Sequence, residues 1–529
     1  MSISRERVSL VPGAPKSWRI LDKVQEHLTL ANTFGVLGAL LALACLFYFP
    51  PAVSIRVLLY AIVYIWTFLR PRMALYLTPF AVAWGSLDAL TVAGISLTSA
   101  DILVLLLFAS WLCSHVIRPR MGSNRPQAGP FDRTGYNLPR ILSIGLLALL
   151  LAMLVSIPTA LSFKTSLKEI AKWLEVAILL CLGSQYLRTR QQVWTLVIMC
   201  ILAGISQAFM GYAQYMFDLG PQSFVRGSGL RIYGTFNQPN PYAGFIDMAL
   251  LITISLTLLG RNWATRILAG GATILLGAAF VLSQSRGANI ALALALVFLC
   301  IVGFPRLNVL VRLGVIVLLL LFAAYCANLI PEHYVTPILH KLGLAGISFV
   351  NPHDEDFSTA ERLAHWIAGI NMFLDHPLLG VGIGNYPNAY PRYFITIFAN
   401  PLGHAHNYYI NIAAEAGIFG FAGLFTFLFS IFLTGKRVLH ILNKRIRIAK
   451  KEVYPTQVRT GAESFEQRRT LYLASLLSND RALAIGLIAS LLAICLHNLF
   501  DDLYVHNMTN LFALLIILLT RLPDITLKQ

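Results

Sequence analysis

The sequence predicts an all-α polytopic membrane protein of about fourteen transmembrane helices (12 to 14), since a span takes roughly 20 apolar residues. Three observations predict it. Of 529 residues, 57% are hydrophobic and 12% are charged, whereas soluble domains are about 25% charged. Apolar runs recur from Leu30 almost to the C-terminus, many of them long enough to cross about 30 Å of hydrocarbon. The basic residues between runs fall on alternate loops, as the positive-inside rule requires. A β-barrel is disfavoured because its strands alternate apolar and polar over about 10 residues. Helices satisfy their own backbone in lipid and are what remains.

The elements follow in order. Residues 1–29 are polar, with Arg5, Arg7, Lys16, Arg19 and Lys23, and read as a cytoplasmic tail. No small-residue cleavage site follows a short apolar core, so the first span is expected to stay in the protein. The N-terminal transmembrane helices occupy 30–187, with spans near 30–49, 54–68, 73–90 and 101–117 and a pair from Ile141 to Leu187. Arg70 and Arg72, then Arg118, Arg120, Arg125, Arg133 and Arg140, fall on the inside. The central helices occupy 188–330, with a polar outer loop over 218–240 and inner turns at Arg261, Arg266, Arg306 and Arg312. Residues 331–406 form one long periplasmic loop, expected to be partly helical. The C-terminal helices fill 407–521, with a basic cytoplasmic loop at 436–481 that carries Lys436, Arg437, Lys444, Arg445, Arg447, Lys450 and Lys451. Residues 522–529 are expected to form a short cytoplasmic tail with no soluble domain after it, and the basic clusters, which fall on one side, put both termini inside.

The net charge of +17 therefore reads as orientation in the membrane, with no nucleic-acid partner. The basic inner loop could also touch anionic membrane lipid. Seven cysteines, Cys45, Cys113, Cys181, Cys200, Cys300, Cys326 and Cys495, all sit in apolar runs without a CxxC pair. They read as small core hydrophobes without a disulfide or metal role.

A minority of cations breaks the charge rule by falling outside: Arg56, Lys164, Lys168, Lys172, Arg226, Arg231, Arg286, Lys341, Arg362 and Arg392. Ionisable groups at membrane boundaries are functional candidates. Arg286 sits in Ser283-Gln-Ser-Arg-Gly-Ala-Asn289, between two apolar spans. An arginine fork suits phosphate oxygens, although a snorkelling residue would look the same. Ser358 and Glu361 are spaced as a capping box, which predicts a helix that Arg362 opens. Arg362 then has the wrong sign for the helix N-terminus. Leu363, Trp366, Ile367, Ile370, Phe373 and Leu374 continue the helical spacing up to His376-Pro377.

Leu379-Gly-Val-Gly-Ile-Gly-Asn385 reads as a tight backbone turn, since no strand precedes it to make a nucleotide loop. Gly403-His-Ala-His-Asn-Tyr-Tyr leads from the long loop into a span, with Glu415 deeper in it. A histidine at the water boundary can act as a base near neutral pH or merely tie down the loop. His404 and His406 could alternatively join His353, Asp354 or Asp356 around a metal, but no metal-binding helix pattern is present. The stretch Arg231 to Gly244, with Asn237 and Asn240, suits sugar contacts or an ordinary turn before a helix. Asp501 and Asp502 could orient a histidine or pair with arginines, with simple loop solubility as the plainer reading.

Taken together, these stretches resemble the O-antigen ligase and polymerase superfamily, in a ligase-like form. The resemblance rests on Gly234-Thr-Phe-Asn-Gln-Pro-Asn240, Ser285-Arg-Gly287, Arg362 to Tyr386 with Pro377-Leu-Leu-Gly-Val-Gly382, and His406-Asn407 through Glu415-x-Gly417, across about residues 186–504. It implies a glycosyltransferase of lipopolysaccharide or polysaccharide biosynthesis in the bacterial inner membrane, with its site facing the periplasm. The implied donor is a glycan on undecaprenyl diphosphate and the acceptor a hydroxyl of lipid A core or a growing glycan, with inversion at the anomeric carbon. No cofactor or metal is implied. Arg286 and Arg362 would clamp the diphosphate, and His406 would be the base or acceptor-orienting group, with His404 an alternative. Arg226, Arg231, Asn237, Asn240, Asn407, Asp501 and Asp502 are the expected substrate-side residues. A transporter would instead place its polar groups at mid-membrane depth, and a glycan-binding scaffold would need no base.

Overall fold

The computed structural model describes residues 51–92, 95–114, 138–226, 229–306, 308–326, 354–457 and 465–524, with single positions at 331, 333 and 349. The expected first tail and first span, Cys45 and Lys341 lie outside them, as does the side chain of Arg226.

The described chain is mostly helical. It opens with α1 (Pro51–Leu69) and α2 (Arg72–Trp84), a small hairpin of β1 (Leu90–Val92) and β2 (Ile95–Leu97), and α3 (Ser99–Leu112). Next come α4 (Arg140–Val155), α5 (Phe163–Ile178) and α6 (Arg190–Met216), then a second hairpin of β3 (Val225–Arg226) and β4 (Gly229–Leu230). A run of close-set helices follows: α7 (Pro239–Leu259), α8 (Trp263–Leu282), α9 (Arg286–Gly303) and α10 (Asn308–Cys326). The last part holds α11 (Asp354–Asp375), α12 (Tyr386–Ala389), α13 (Tyr408–Gln457), α14 (Phe465–His497) and α15 (Met508–Arg521). Among the described residues, α4, α6, α7, α8, α9, α13 and α14 carry segments long and apolar enough to cross a membrane, and the apolar parts of α1, α3 and α15 are shorter.

The centre is α7 against α14. From Pro241 to Thr253, α7 is buried on every side, the pattern of a helix surrounded by other helices. Small residues and hydroxyls let the two backbones approach. Gly486 faces the α7 backbone at Ile252, Ser255 donates to the Ala482 carbonyl at 2.6 Å and Ser490 to the Met248 carbonyl at 2.8 Å. In lipid, such packing replaces the hydrophobic drive between helices, and each interhelical hydrogen bond contributes about 0.6 kcal/mol. A second tight pair is α4 with α13, where Gly145 meets Phe427 and Ser430, and Gly423 meets Ala148 and Leu149.

One end of the bundle gathers arginines. Arg190 pairs with Asp480 at 3.0 Å, Arg481 donates to Asn443 at 2.8 Å, and Arg521 donates to the Leu187 carbonyl at 2.7 Å. The region expected as a basic loop over 436–481 is largely helix, since α13 runs to Gln457 and α14 starts at Phe465. The physical reason is an apolar stripe, Val438, Leu442 and Leu477, that stays buried between the cations. They keep both helices packed beyond the expected boundary.

The opposite end is built around irregular backbone. The turn after α11 has Gly380, Gly382 and Gly384 at φ 67, 94 and 73, so the glycine run is a tight turn. It docks on α13 where that helix breaks at Gly417 (φ 61, ψ −158). Val381 N–H donates to the Ala414 carbonyl at 2.9 Å, and Ile418 N–H to the Pro377 carbonyl at 2.8 Å. A Cβ on Gly417 would run into the Leu378 carbonyl, and one on Gly382 into the Ala160 backbone. Gly382→Val therefore combines strain with backbone overlap. It should cost on the order of 1–3 kcal/mol and lower the apparent Tm of the detergent-solubilised protein in a size-exclusion thermostability assay.

Candidate functional site

His406 stands just before α13. It has a left-handed backbone, φ 52, which side chains other than glycine adopt only when their surroundings demand it. Three contacts demand it here. Its N–H donates to His404 Nδ1 at 3.1 Å, its carbonyl accepts from Trp366 Nε1 at 3.2 Å, and its Nδ1 lies 3.3 Å from Asp501 Oδ1.

Asp501 is buried, and both of its oxygens are used. Oδ1 faces His406 and accepts from the Asp502 N–H at 2.9 Å. Oδ2 accepts from Asn240 Nδ2 at 2.7 Å. Asn240 Oδ1 in turn accepts from Ser285 Oγ at 2.9 Å and from Arg231 at 3.4 Å, while Arg231 Nε holds the Ser283 carbonyl at 3.1 Å. One amide thus joins the start of α7, the turn before α9 and the loop after α14. Burial opposes ionisation of Asp501. The hydrogen bond and charge of His406, with His404 and Arg362 behind them, outweigh it and hold the carboxyl well below the usual carboxylate range.

Arg286 is the first residue of α9 and half-buried. It sits between Ser285, bonded to Asn240, and Gly287, which packs against His497 and Phe500. Arg362 is half-buried, and its charge reaches Asp501. It does not open its helix, as the capping-box spacing suggested. The helix begins at Asp354, because Asp354-Glu355-Asp356 suits the positive N-terminal end better. Ser358 and Glu361 lie inside α11, and the expected dipole conflict at Arg362 disappears.

Three further expected residues have their own local settings. Asn407 is buried and its Oδ1 accepts from the N–H groups of Tyr409 at 3.0 Å and Ile410 at 3.1 Å, so it caps α13. Asn237 is exposed at φ 58 on the turn before α7, and its side chain takes no part in the network. Asp502 accepts from the Tyr504 N–H at 2.8 Å, and burial raises its pKa against the opposing charges of Lys172 and His404. Loop solubility does not describe Asp501 and Asp502, which are 3% and 7% exposed.

Some participants carried weaker signals. His365, one turn beyond Arg362, is fully buried, with Nδ1 at 3.0 Å from the Tyr386 hydroxyl and its ring stacked 4.5 Å from Tyr390. Its edge meets the His406 ring at 5.6 Å. A polar position inside the apolar stripe of α11 was its only signature. Glu415 accepts the Tyr386 N–H at 2.8 Å and ties the glycine turn to α13. Lys172 Nζ pairs with Glu169 at 2.6 Å and donates to the Tyr504 carbonyl at 2.9 Å.

His404, His406 and Asp501 offer ligand atoms within 4.8 Å of one another, enough to hold a metal ion. Nδ1 of each histidine and both Asp501 oxygens already take part in hydrogen bonds to one another, to Asn240 and to backbone N–H groups, so a metal would have to displace these bonds or bind through the Nε2 atoms. The donor set therefore fits a hydrogen-bonded relay better than a cation. The side chains of Asp354 and Asp356, and all of His353, lie outside the described residues.

The bundle of apolar helices thus groups a histidine, a carboxylate and two arginines at one end. Residues 271–425 match the family model described as O-antigen ligase, and that match supports the resemblance to the O-antigen ligase superfamily. The matched segment runs from α8 into α13 and includes Arg286, Arg362, His404, His406 and Asn407. Arg231, Asn240, Asp501 and Asp502 lie outside it. No curated protein matches the chain.

Asn240→Asp would set a second carboxylate against Asp501 and should reduce turnover at least tenfold in a transfer assay while the protein still inserts and elutes as wild type. A pH effect follows from His365. Burial first, then His406 and His404, push its pKa from 6.5 down to about 4. Between those values the unfolded chain binds the proton and the folded chain does not, so stability falls as pH drops from 6.5 towards 4 and this contribution is constant below. Apparent Tm across that range should show the slope, and His365→Asn should flatten it.

Proposed function

We propose that the chain is a ligase-type glycosyltransferase that moves a glycan from undecaprenyl diphosphate to an acceptor hydroxyl, on lipid A core or a related acceptor, at the periplasmic face of the inner membrane. The supporting observation is the convergence of His406, bonded to buried Asp501, with Arg362 and Arg286 at one end of the bundle. The arginine-rich opposite end supports a cytoplasmic assignment there, with about fourteen spans and both termini inside.

In this reading His406 Nε2 takes the acceptor proton while Asp501 fixes the ring through Nδ1 and stabilises the imidazolium. The acceptor oxygen bonds to the anomeric carbon as the bond from that carbon to the phosphate oxygen breaks, with inversion. The departing diphosphate gains negative charge, so preplaced Arg362 and Arg286 favour the transition state over the ground state. The proton leaves His406 for water or the diphosphate. No step needs a metal or another cofactor.

Reconstitution with labelled undecaprenyl-diphosphate glycan tests the reading. His406→Ala, Arg286→Ala and Arg362→Ala should each lower transfer by about 10²-fold or more with insertion intact, and a chelator should leave the wild-type rate unchanged. Normal turnover in all three would sink the assignment. Growth of the donor glycan itself, rather than transfer to lipid A core, would make the enzyme a polymerase. Flux across vesicles without transfer would make it a transporter.

A further inference from the structure

Lys164, Lys168 and Lys172 are outer cations that the proposed reaction leaves unused. They lie on α5 at i, i+4 and i+8 and so share one side of it. The helix has three faces. Ser166, Ile170, Trp173 and Val176 are buried, and Trp173 packs against Tyr408 and Tyr504. Phe163, Leu167 and Leu174 form an apolar face that is 64%, 53% and 46% exposed. The lysines form the third face, with Lys164 and Lys168 exposed and Lys172 half-buried.

The ladder points at the site. Its inner rung, Lys172, is held by Glu169 and by the Tyr504 carbonyl, and its charge is felt by both Asp502 and His404. Its outer end is rigidly registered. Ser162 N–H donates to Asn385 Oδ1 at 2.7 Å, and Ser166 Oγ donates to the Ile383 carbonyl at 2.6 Å. These bonds fix α5 to the glycine turn that follows α11. Lys164 and Lys168 have no ion pair among the described residues.

We propose that this face of α5 is the entry ramp for the lipid donor: a polyprenyl diphosphate lays its chain along Phe163, Leu167 and Leu174 while Lys164 and Lys168 draw its diphosphate towards Lys172 and the His406 cluster. An amphiphile with an apolar tail and a dianionic or trianionic head matches an apolar stripe edged by cations. A neutral lipid would use only the apolar stripe. The inference rests on the transferase reading for what happens next, but the docking itself is measurable without transfer.

The test is binding of undecaprenyl diphosphate to the full chain in phosphatidylcholine nanodiscs, read by native mass spectrometry, with glycan transfer measured in parallel. Lys164→Ala/Lys168→Ala should raise the Kd and the donor KM roughly tenfold with kcat unchanged, and high salt should narrow the gap. Lys164→Arg/Lys168→Arg should bind as wild type, and Lys436→Ala, at the other end of the bundle, should change nothing. Equal Kd for the alanine pair and wild type would overturn the ramp. So would a loss of kcat at constant KM, failure of the wild type to bind, or equal competition by phosphatidylglycerol, which would mark a general anionic-lipid surface. Tight lysine-dependent binding without any transfer would uphold the ramp and remove the transferase reading instead.

Discussion

The bond between Asn240 and Asp501 is the constraint on which the rest of the site depends. It is a short amide-to-carboxylate contact of 2.7 Å between residues 261 positions apart in the chain. Through it the start of α7, the turn before α9 and the loop after α14 share one hydrogen-bond network, and His406 completes that network from the start of α13. A buried carboxylate left unpaired would be costly. Here each oxygen has a partner, so Asp501 can stay ionised beside an imidazole. The backbone of His406 sits in a disfavoured region, and the same network, with Trp366 and His404, holds it there.

The site therefore depends on how helices end. Small residues let α7 and α14 close together, and that contact brings Asn240 and Asp501 to one level. The glycine turn and the break at Gly417 perform the same service for α11 and α13. Without the break, α13 would continue through the space that the turn occupies. The two irregular features are complementary, each supplying hydrogen bonds that the other lacks. Irregular backbone near a bilayer is tolerated where protein satisfies it, and here the N–H groups of Val381, Tyr386 and Ile418 are paired across the turn.

Much of this was legible in the sequence. Apolar runs and basic turns announced a helical membrane protein, and the apolar parts of α4, α6, α7, α8, α9, α13 and α14 fall where runs were expected. His406, Arg286 and Arg362 stood out because charge and polarity were misplaced. What the sequence hid were relationships between distant positions. The bond from Asn240 to Asp501 could not be read because its partner lies in another helix hairpin, and the capping role of Asn407 could not because a cap and a ligand contact use the same side chain. Asp501 and Asp502 looked like a soluble loop because burial after α14 depends on packing by α5 and α15. His365 was invisible for a simpler reason: its neighbours Tyr386 and Tyr390 come from beyond the glycine turn.

The placement of charge also explains why such chemistry belongs at a bundle end. The polyprenyl diphosphate proposed as donor keeps its tail in lipid and its head in water, which would confine the reacting bond to the boundary. Cations needed there run against the bias that crowds arginine and lysine at the opposite end. Each one must be held by local structure. Lys172 is held by Glu169 and a carbonyl, Arg231 by Ser283 and Asn240, and the charge of Arg362 reaches Asp501. The carboxylates at this end balance cations that would otherwise repel one another.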